Sequence, residues 1–300
     1  MSLRMGINGA FEQALLLMYG PYRTEGCLRE LIVSDSSEKI SIITANNGYK
    51  LQISTGFWLA LEVLITTSKC RFKITDAFEW LFLHELQHIE LGHFRFNDCF
   101  GIAQRLSGMQ ASLNSIPLGM RSLTPLCLEM QADHEATDIL LGSYYTDSWH
   151  ELREKVLAIS GMMMLIELED AKNNAEGRTH PRAATRIFQL LGHIAEMPLV
   201  EAQLHEDASL IPTESELQAF AHEVTIPCFF DALQLAQTTG ALSIADDLGS
   251  PVDFFKDLEI AKLGDPSRYG DLQTQGAKEW AKLWPCNEAL KPILGGHFTN

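Results

Sequence analysis

The stretch that most constrains this chain of 300 residues is His84-Glu85-Leu86-Gln87-His88, in which two histidines lie four residues apart and a glutamate follows the first. On an α-helix these imidazoles lie one turn apart on the same face, so both can reach a single ion. Glu85 projects beside them, where a carboxylate can hydrogen-bond a water molecule and take its proton. The spacing is typical of the helix of a hydrolytic zinc centre.

The residues around this motif favour a helix whose histidines face inward. Asp76-Ala77-Phe78-Glu79 has the pattern of a capping box, and Gly92 is placed to end the helix. The clearly polar residues fall in a narrow arc of the helical wheel, which leaves the histidines on the buried side. The alternative is a pair of core histidines without a metal. Buried imidazoles without partners beside a carboxylate would be unfavourable.

A catalytic zinc usually has three protein ligands and keeps its fourth position for water. His93 lies five residues after His88, whereas the longer histidine motif needs a histidine six residues after it. We therefore expect His93 to be a helix-terminal residue near the site and look elsewhere for the third ligand.

A second predicted helix starts at Thr124-Pro125, ends near Gly142, and has Glu129 and Asp133 on one face. Glu129 is the better candidate for the third ligand. Asp133, one turn later, can accept the free ring N–H of a ligand histidine and so fix its tautomer. Taken alone, the two acids are equally compatible with a solvated acidic face.

The segments HELQHIELGH, EMQADHEAT and THPRAATRI occur in this order along the chain. Together they resemble the gluzincin-type zinc metallopeptidases and, among them, the Lit-like phage-exclusion peptidases, over about residues 25–195. The resemblance implies that Zn²⁺ is bound by His84, His88 and Glu129, that Glu85 is the general base, and that Asp133 supports a ligand from behind.

In similar gluzincins the histidine and arginine of the third segment lie near the zinc. His180 and Arg186 are therefore candidates for stabilising the oxyanion or positioning the substrate. Alternatively, Thr179-His180-Pro181 only starts a helix and Arg186 pairs with surface acids, which would leave Tyr144 or Tyr145 as oxyanion stabilisers. The resemblance further implies an endopeptidase that acts on a cytosolic protein, with elongation factor Tu as the family precedent and a phage-derived activator.

Two other functions stay open at this point. One is a regulatory binding module that has a zincin fold without turnover, and the other is a hydrolase that acts on a non-peptide amide. The intact Glu85 argues against the first, because a structural metal site needs no base. The sequence does not distinguish a peptide from another amide.

Three short β-branched or alternating runs predict a small antiparallel sheet, with a hairpin signal at Asn46-Asn47-Gly48. The runs are residues 28–33, 39–44 and 49–54. Further helices are predicted at 57–67, at 148–172 and from 213, with a loop rich in Ser, Gly and Pro at 107–125. We expect an α+β fold with a zincin-like catalytic domain at 1–200, its sheet packed on the active-site helix, and a mainly helical C-terminal subdomain at 201–300.

Composition excludes several classes of partner. A net charge of −16 argues against nucleic acid and anionic membranes as general partners. The longest apolar stretch, 156–166, is too short to cross a bilayer, and no signal peptide is evident, so we expect a cytoplasmic protein. The cysteines have the spacing of neither a disulfide framework nor a zinc site, so we expect reduced thiols. They are Cys27, Cys70, Cys99, Cys127, Cys228 and Cys286.

Overall fold

The computed structural model describes residues 3–21, 28–35, 40–45, 48–95, 116–173 and 180–294. The helices of the first two thirds are α1 (Leu3–Tyr19), α2 (Thr55–Ser68), α3 (Ile74–Glu90), α4 (Thr124–Leu141), α5 (Trp149–Asn173) and α6 (Ala183–Leu204). Those of the last third are α7 (Glu214–Phe220), α8 (Ile226–Thr238), α9 (Leu242–Leu248), α10 (Pro251–Lys262) and α11 (Gln275–Leu294). The strands are β1 (Leu28–Ser34), β2 (Ile40–Ala45) and β3 (Gly48–Ser54). The described part of the chain is therefore mostly helical, with one small sheet.

The sheet has the order β1-β3-β2 and is mixed. β2 pairs antiparallel with β3, but β1 pairs parallel with β3, so the prediction of an antiparallel sheet is wrong for β1. β3 takes the central position, and its Leu51 and Ile53 are buried in the main core. β1 also packs against α1, a contact between distant parts of the sequence that no turn signal reports. The predicted turn residues Asn46 and Asn47 lie outside the described part of the chain.

α3 lies at the centre of the molecule. Its main neighbours are α1, α4 and α5, whereas the sheet packs mainly on α1 and α2. Direct packing of the sheet on the active-site helix therefore stays a prediction. The apolar side chains of α3 explain its central place, since Phe78, Trp80 and Phe82 are each fully buried. They anchor the helix inside the protein just before the turn that begins at His84.

The helices that carry the candidate metal ligands, α3 and α4, end where the sequence predicts. Gly92 and Gly142, which follow them, adopt left-handed φ angles of 70° and 65°. The starts of the two helices differ from the prediction. The N-cap of α3 is Lys73, so Asp76 lies within the first turn and forms no capping box. Thr124 is the first residue of α4, and its buried hydroxyl donates to the carbonyl of Met120 at 3.3 Å instead of capping the helix.

The predicted start at Thr213 is confirmed, since its side chain and that of Glu216 form a reciprocal capping box at the start of α7. The proposed boundary at residue 200 falls inside α6, and one core cluster contains buried residues from both sides of it, among them Phe78 and Phe254. The division into two parts stays a prediction, since a shared core does not say which segment folds alone.

Among the described residues, Cys70, Cys127, Cys228 and Cys286 are buried free thiols, while Cys27 and Cys99 lie outside them. Of the predicted loop at 107–125, residues 107–115 also lie outside, while Leu118–Leu123 form a 3₁₀ helix that leads directly into α4. None of the helices in the described part of the chain combines the length and the apolar character needed to cross a membrane.

Candidate metal centre

Three side chains from α3 and α4 converge on one point inside the protein. His84 Nε2 lies 3.1 Å from His88 Nε2 and 3.1 Å from Glu129 Oε2, and His88 Nε2 lies 3.4 Å from the same oxygen. All three residues are buried. α3 and α4 pack closely against each other, which brings Glu129 opposite the turn formed by the two histidines. His84, His88 and Glu129 thus form a candidate metal site.

The geometry of this cluster fits zinc. With metal–ligand bonds of about 2.0–2.1 Å and tetrahedral angles, neighbouring ligand atoms lie about 3.3 Å apart. The three observed separations, 3.1, 3.1 and 3.4 Å, are close to that value. The donor set of two imidazole nitrogens and one carboxylate oxygen is also one that catalytic zinc uses, with one position left over for water.

A carboxylate lies directly behind His84. Asp133 Oδ1 is 2.9 Å from His84 Nδ1, without an aligned hydrogen bond between the two atoms. Arg186 donates from Nε and Nη2 to the two oxygens of Asp133, each at 2.7 Å. Its guanidinium also lies over the ring of Trp80, with 5.4 Å to the centroid. Arg186 therefore contacts Asp133 and Trp80 rather than the ligand atoms.

A second support lies behind His88. His88 Nδ1 is 3.0 Å from Nδ1 of His93, which begins a short 3₁₀ turn (His93–Arg95) just after α3. The other ring nitrogen of His93 lies 3.1 Å from Gln131 Oε1, and Gln131 donates to Asn287 of α11 at 2.6 Å. The sequence places His93 near the site, but Gln131 and Asn287 follow no motif and were not predicted.

His180 lies on the more open side of the cluster. Its Nε2 is 3.4 Å from Glu129 Oε2, and its side chain is 23% exposed, against 1% for that of His84. Its other ring nitrogen lies 3.0 Å from Asp170 of α5, whose carboxylate also accepts the backbone N–H of His180 at 3.3 Å. Asp170 is a further residue that no sequence signal singled out.

The charges of the site favour a bound cation. Burial lowers the pKa of His84, but the carboxylates of Asp133 and Glu129 outweigh this and raise it to about 10. Burial raises the pKa of Glu129, yet the nearby imidazoles of His88 and His180 and the contact with His84 hold it well below its ordinary value. Burial raises the pKa of Asp133, but the charge of Arg186 and its hydrogen bonds outweigh this and lower the pKa to about 2. A metal would take the place of the proton on His84.

The remaining candidates have clear positions. Glu85 is half-buried on α3, directly after His84, and makes no hydrogen bond or ion pair with another described side chain. Tyr144 packs against Phe220, with 5.3 Å between ring centroids. It lies beyond the end of α4, which is about 18 Å along the helix axis from Glu129 at 1.5 Å per residue. The neighbouring Tyr145 is exposed.

A buried histidine–histidine–glutamate cluster with a carboxylate support behind it is the type of site found in metal-dependent hydrolases. Residues 73–202 match the family model Peptidase U49. The match covers less than half of the chain, includes every residue of the centre except Asn287, and supports membership of a peptidase family. Neither the curated proteins nor the solved structures include a significant match to this chain.

Proposed function

We propose that this protein is a zinc-dependent endopeptidase with His84, His88 and Glu129 as its metal ligands. The observation that supports this best is the tetrahedral spacing of the three ligand atoms, with Glu85 on the same turn of α3. The match to Peptidase U49 covers all four residues and favours a peptide bond as the target over another amide.

Bound zinc would lower the pKa of a water molecule and polarise the scissile carbonyl. Glu85 would take the proton of the attacking water and pass it to the leaving amine. Asp133, fixed by Arg186, orients His84, so we assign Arg186 a positioning role. His180 is oriented by Asp170 and lies on the open side of Glu129, where an imidazole can stabilise developing negative charge.

An extended substrate can be held by strand addition at an edge of the sheet, β1 or β2. The sheet adjoins the site through Phe94. The ring centroid of Phe94 lies 5.1 Å from that of Tyr49 in β3 and 6.1 Å from that of His88. A zincin-like domain, elongation factor Tu as substrate and a phage-derived activator belong to the same proposal, and the support for them is the motif resemblance. The cytoplasmic location expected from the sequence belongs to it as well.

The decisive variant is Glu85→Gln, which keeps the shape of the side chain but removes the base. We expect it to retain about one zinc per chain and the thermal midpoint of the wild type, while cleavage falls by about 10² or more. The measurements are elemental analysis, thermal unfolding and cleavage of elongation factor Tu and of a mixed peptide library.

Glu79→Gln is the matched control, because Glu79 is a half-buried glutamate on the same helix, more than one turn before the ligands. It should cleave like the wild type. Equal cleavage by Glu85→Gln and the wild type would remove Glu85 from the mechanism, and loss of zinc from that variant would instead make Glu85 a ligand.

A further inference from the structure

A chain of three side chains leads from the metal ligand His88 to the C-terminal helix α11. It consists of His93, Gln131 and Asn287, and we call it the relay; its successive contacts measure 3.0, 3.1 and 2.6 Å. We propose that the relay is a positioning device that fixes the tautomer of His88 for metal binding. α11 lies outside the segment that matches the peptidase family, so the metal site of this chain would extend beyond that segment. The inference rests on the proposed function of His88 as a ligand.

The direction of each hydrogen bond follows from the chemistry of the ligand. A metal needs the lone pair of His88 Nε2, so the ring proton of His88 must be on Nδ1. Nδ1 then donates to His93 Nδ1, which must be an acceptor, and the proton of His93 is on Nε2. That nitrogen donates to Gln131 Oε1, and the amide of Gln131 donates to Asn287 Oδ1. Each donor in the relay meets an acceptor.

The opposite direction would disable the ligand. If the amide of Gln131 were turned over, its N–H would donate to His93 Nε2, and His93 would carry its proton on Nδ1. His93 would then donate to His88 Nδ1 and leave the proton of His88 on Nε2, where the metal should bind. The orientation of one amide on α4 thus decides which nitrogen of His88 is free.

Two features hold the relay in the productive direction. His93 is fully buried between His88 and Gln131, so its two ring nitrogens have no solvent water as an alternative partner. At the far end of the relay, the thiol of Cys127 donates a weak S–H hydrogen bond to Asn287 Oδ1 at 3.9 Å. Asn287 Oδ1 therefore faces two donors, which favours its acceptor orientation.

α11 is well anchored where it meets the relay. A small core cluster joins Cys286, Leu290 and Leu294 of α11 to Cys127 and Leu128, the residues just before Glu129. α11 therefore packs against the turn of α4 that carries Glu129 and also provides Asn287, the last residue of the relay. Asn287 and Gln131 also line a cavity of about 550 Å³, so side chains at position 287 can change without forcing neighbours apart.

The test compares metal affinity in variants of Gln131. Gln131→Leu removes the acceptor for His93 while keeping similar volume, and we expect zinc affinity to fall by about 10- to 100-fold, the usual effect of losing support behind a ligand. Gln131→Glu restores an oxygen acceptor and should recover most of the affinity. Asn287→Ala, which faces the cavity, should weaken binding less than Gln131→Leu. Affinity is measured by competition with a chelator.

Gln189→Leu is the matched control. Gln189 lines the same cavity and donates to the carbonyl of Met130 at 2.8 Å, but no hydrogen bond joins it to the relay. Nitrogen NMR of the imidazoles gives a second readout, which depends on no activity. The His93 proton should reside on Nε2 in the wild type and in Gln189→Leu, and lose that preference in Gln131→Leu.

Wild-type affinity in folded Gln131→Leu, or an equal loss in Gln189→Leu, would overturn the relay while leaving the zinc proposal intact. A wild-type protein that binds no zinc would instead overturn the proposed function itself. If Gln131→Leu does not fold, Asn287→Ala and Gln131→Glu decide the matter, since wild-type tautomers and affinity in Asn287→Ala would contradict the inference.

Discussion

At the scale of single residues, Asp133 connects the proposed ligand His84 to Arg186, because it contacts both side chains. Arg186→Ala would leave a buried carboxylate without its counter-charge, and we expect a loss of about 3–5 kcal/mol in unfolding free energy. Arg186→Lys should recover this only in part, since an ammonium group cannot donate to both oxygens as a planar fork does. Chemical denaturation measures the loss.

The matched control for this prediction is Arg268→Ala. Arg268 also pairs with an aspartate, Asp271, but the two side chains are 48% and 62% exposed. An exposed pair contributes at most about 1 kcal/mol, so the variant should unfold almost like the wild type. Equal stability of the two alanine variants would show that the buried pair is not a structural support.

His180 is expected to act on turnover instead of stability. Because it is partly exposed and lies 3.4 Å from Glu129, His180→Ala should lower kcat by about 10- to 1000-fold while zinc content and thermal midpoint hold. His134→Ala, which removes an exposed imidazole from α4, serves as the control. Full activity of His180→Ala would mean that His180 has only a structural role before α6. Loss of zinc from this variant would instead make His180 a metal ligand.

Local spacing explains how much of the site could be predicted. His84, Glu85 and His88 could be predicted from one turn of helix, and Glu129 with Asp133 from another. Residues one turn apart on a helix lie side by side whatever the tertiary fold. The partners behind them are set by packing between distant segments. Gln131 reaches His93 over 38 residues and Asn287 over 156 residues, and no local pattern reports such contacts.

At the scale of elements, α11 packs so closely on α6 that one position leaves no room for a side chain. A Cβ atom at Gly276 would lie 2.7 Å from the carbonyl oxygen of Ala184. Because the obstacle is backbone, Gly276→Ala should destabilise the protein by about 1–3 kcal/mol. Gly9→Ala is the control, since Gly9 is exposed on α1 with open space around it, and alanine there should be neutral or stabilising by about 0.5–1 kcal/mol. Equal midpoints in urea for the two variants would contradict the close approach.

The elements themselves were predicted where one local signal decides them. The capping box at Thr213 and the glycine ends of α3 and α4 are local, and they were correct. The parallel pairing of β1 was missed because β3 pairs with it only after the chain has passed through β2. The start of α3 was missed because Asp76 has the sequence pattern of a cap, whereas the helix already begins at Ile74, whose partly buried side chain packs against the core.

At the scale of the whole molecule, the candidate centre joins elements that are far apart in the chain. Its ligands come from α3 and α4, its supports from α5, α6 and α11, and these helices share a core. A cation at this point would therefore tie the central helix to both the middle and the end of the chain. Metal binding should then be visible in the stability of the entire protein.

We expect removal of zinc by a chelator to lower the thermal midpoint of the wild type. A ligand that binds only the folded state adds about 4 kcal/mol when its free concentration is a thousand times its Kd, so the shift should be several degrees and grow with added zinc. A variant with His84, His88 and Glu129 all changed to alanine should show no shift, because its binding site is gone. His134→Ala lacks an imidazole that lies outside the cluster, and it should respond like the wild type. Calorimetry with and without zinc separates these cases, and a zinc-dependent shift in the triple variant equal to that of the wild type would place the metal elsewhere in the protein.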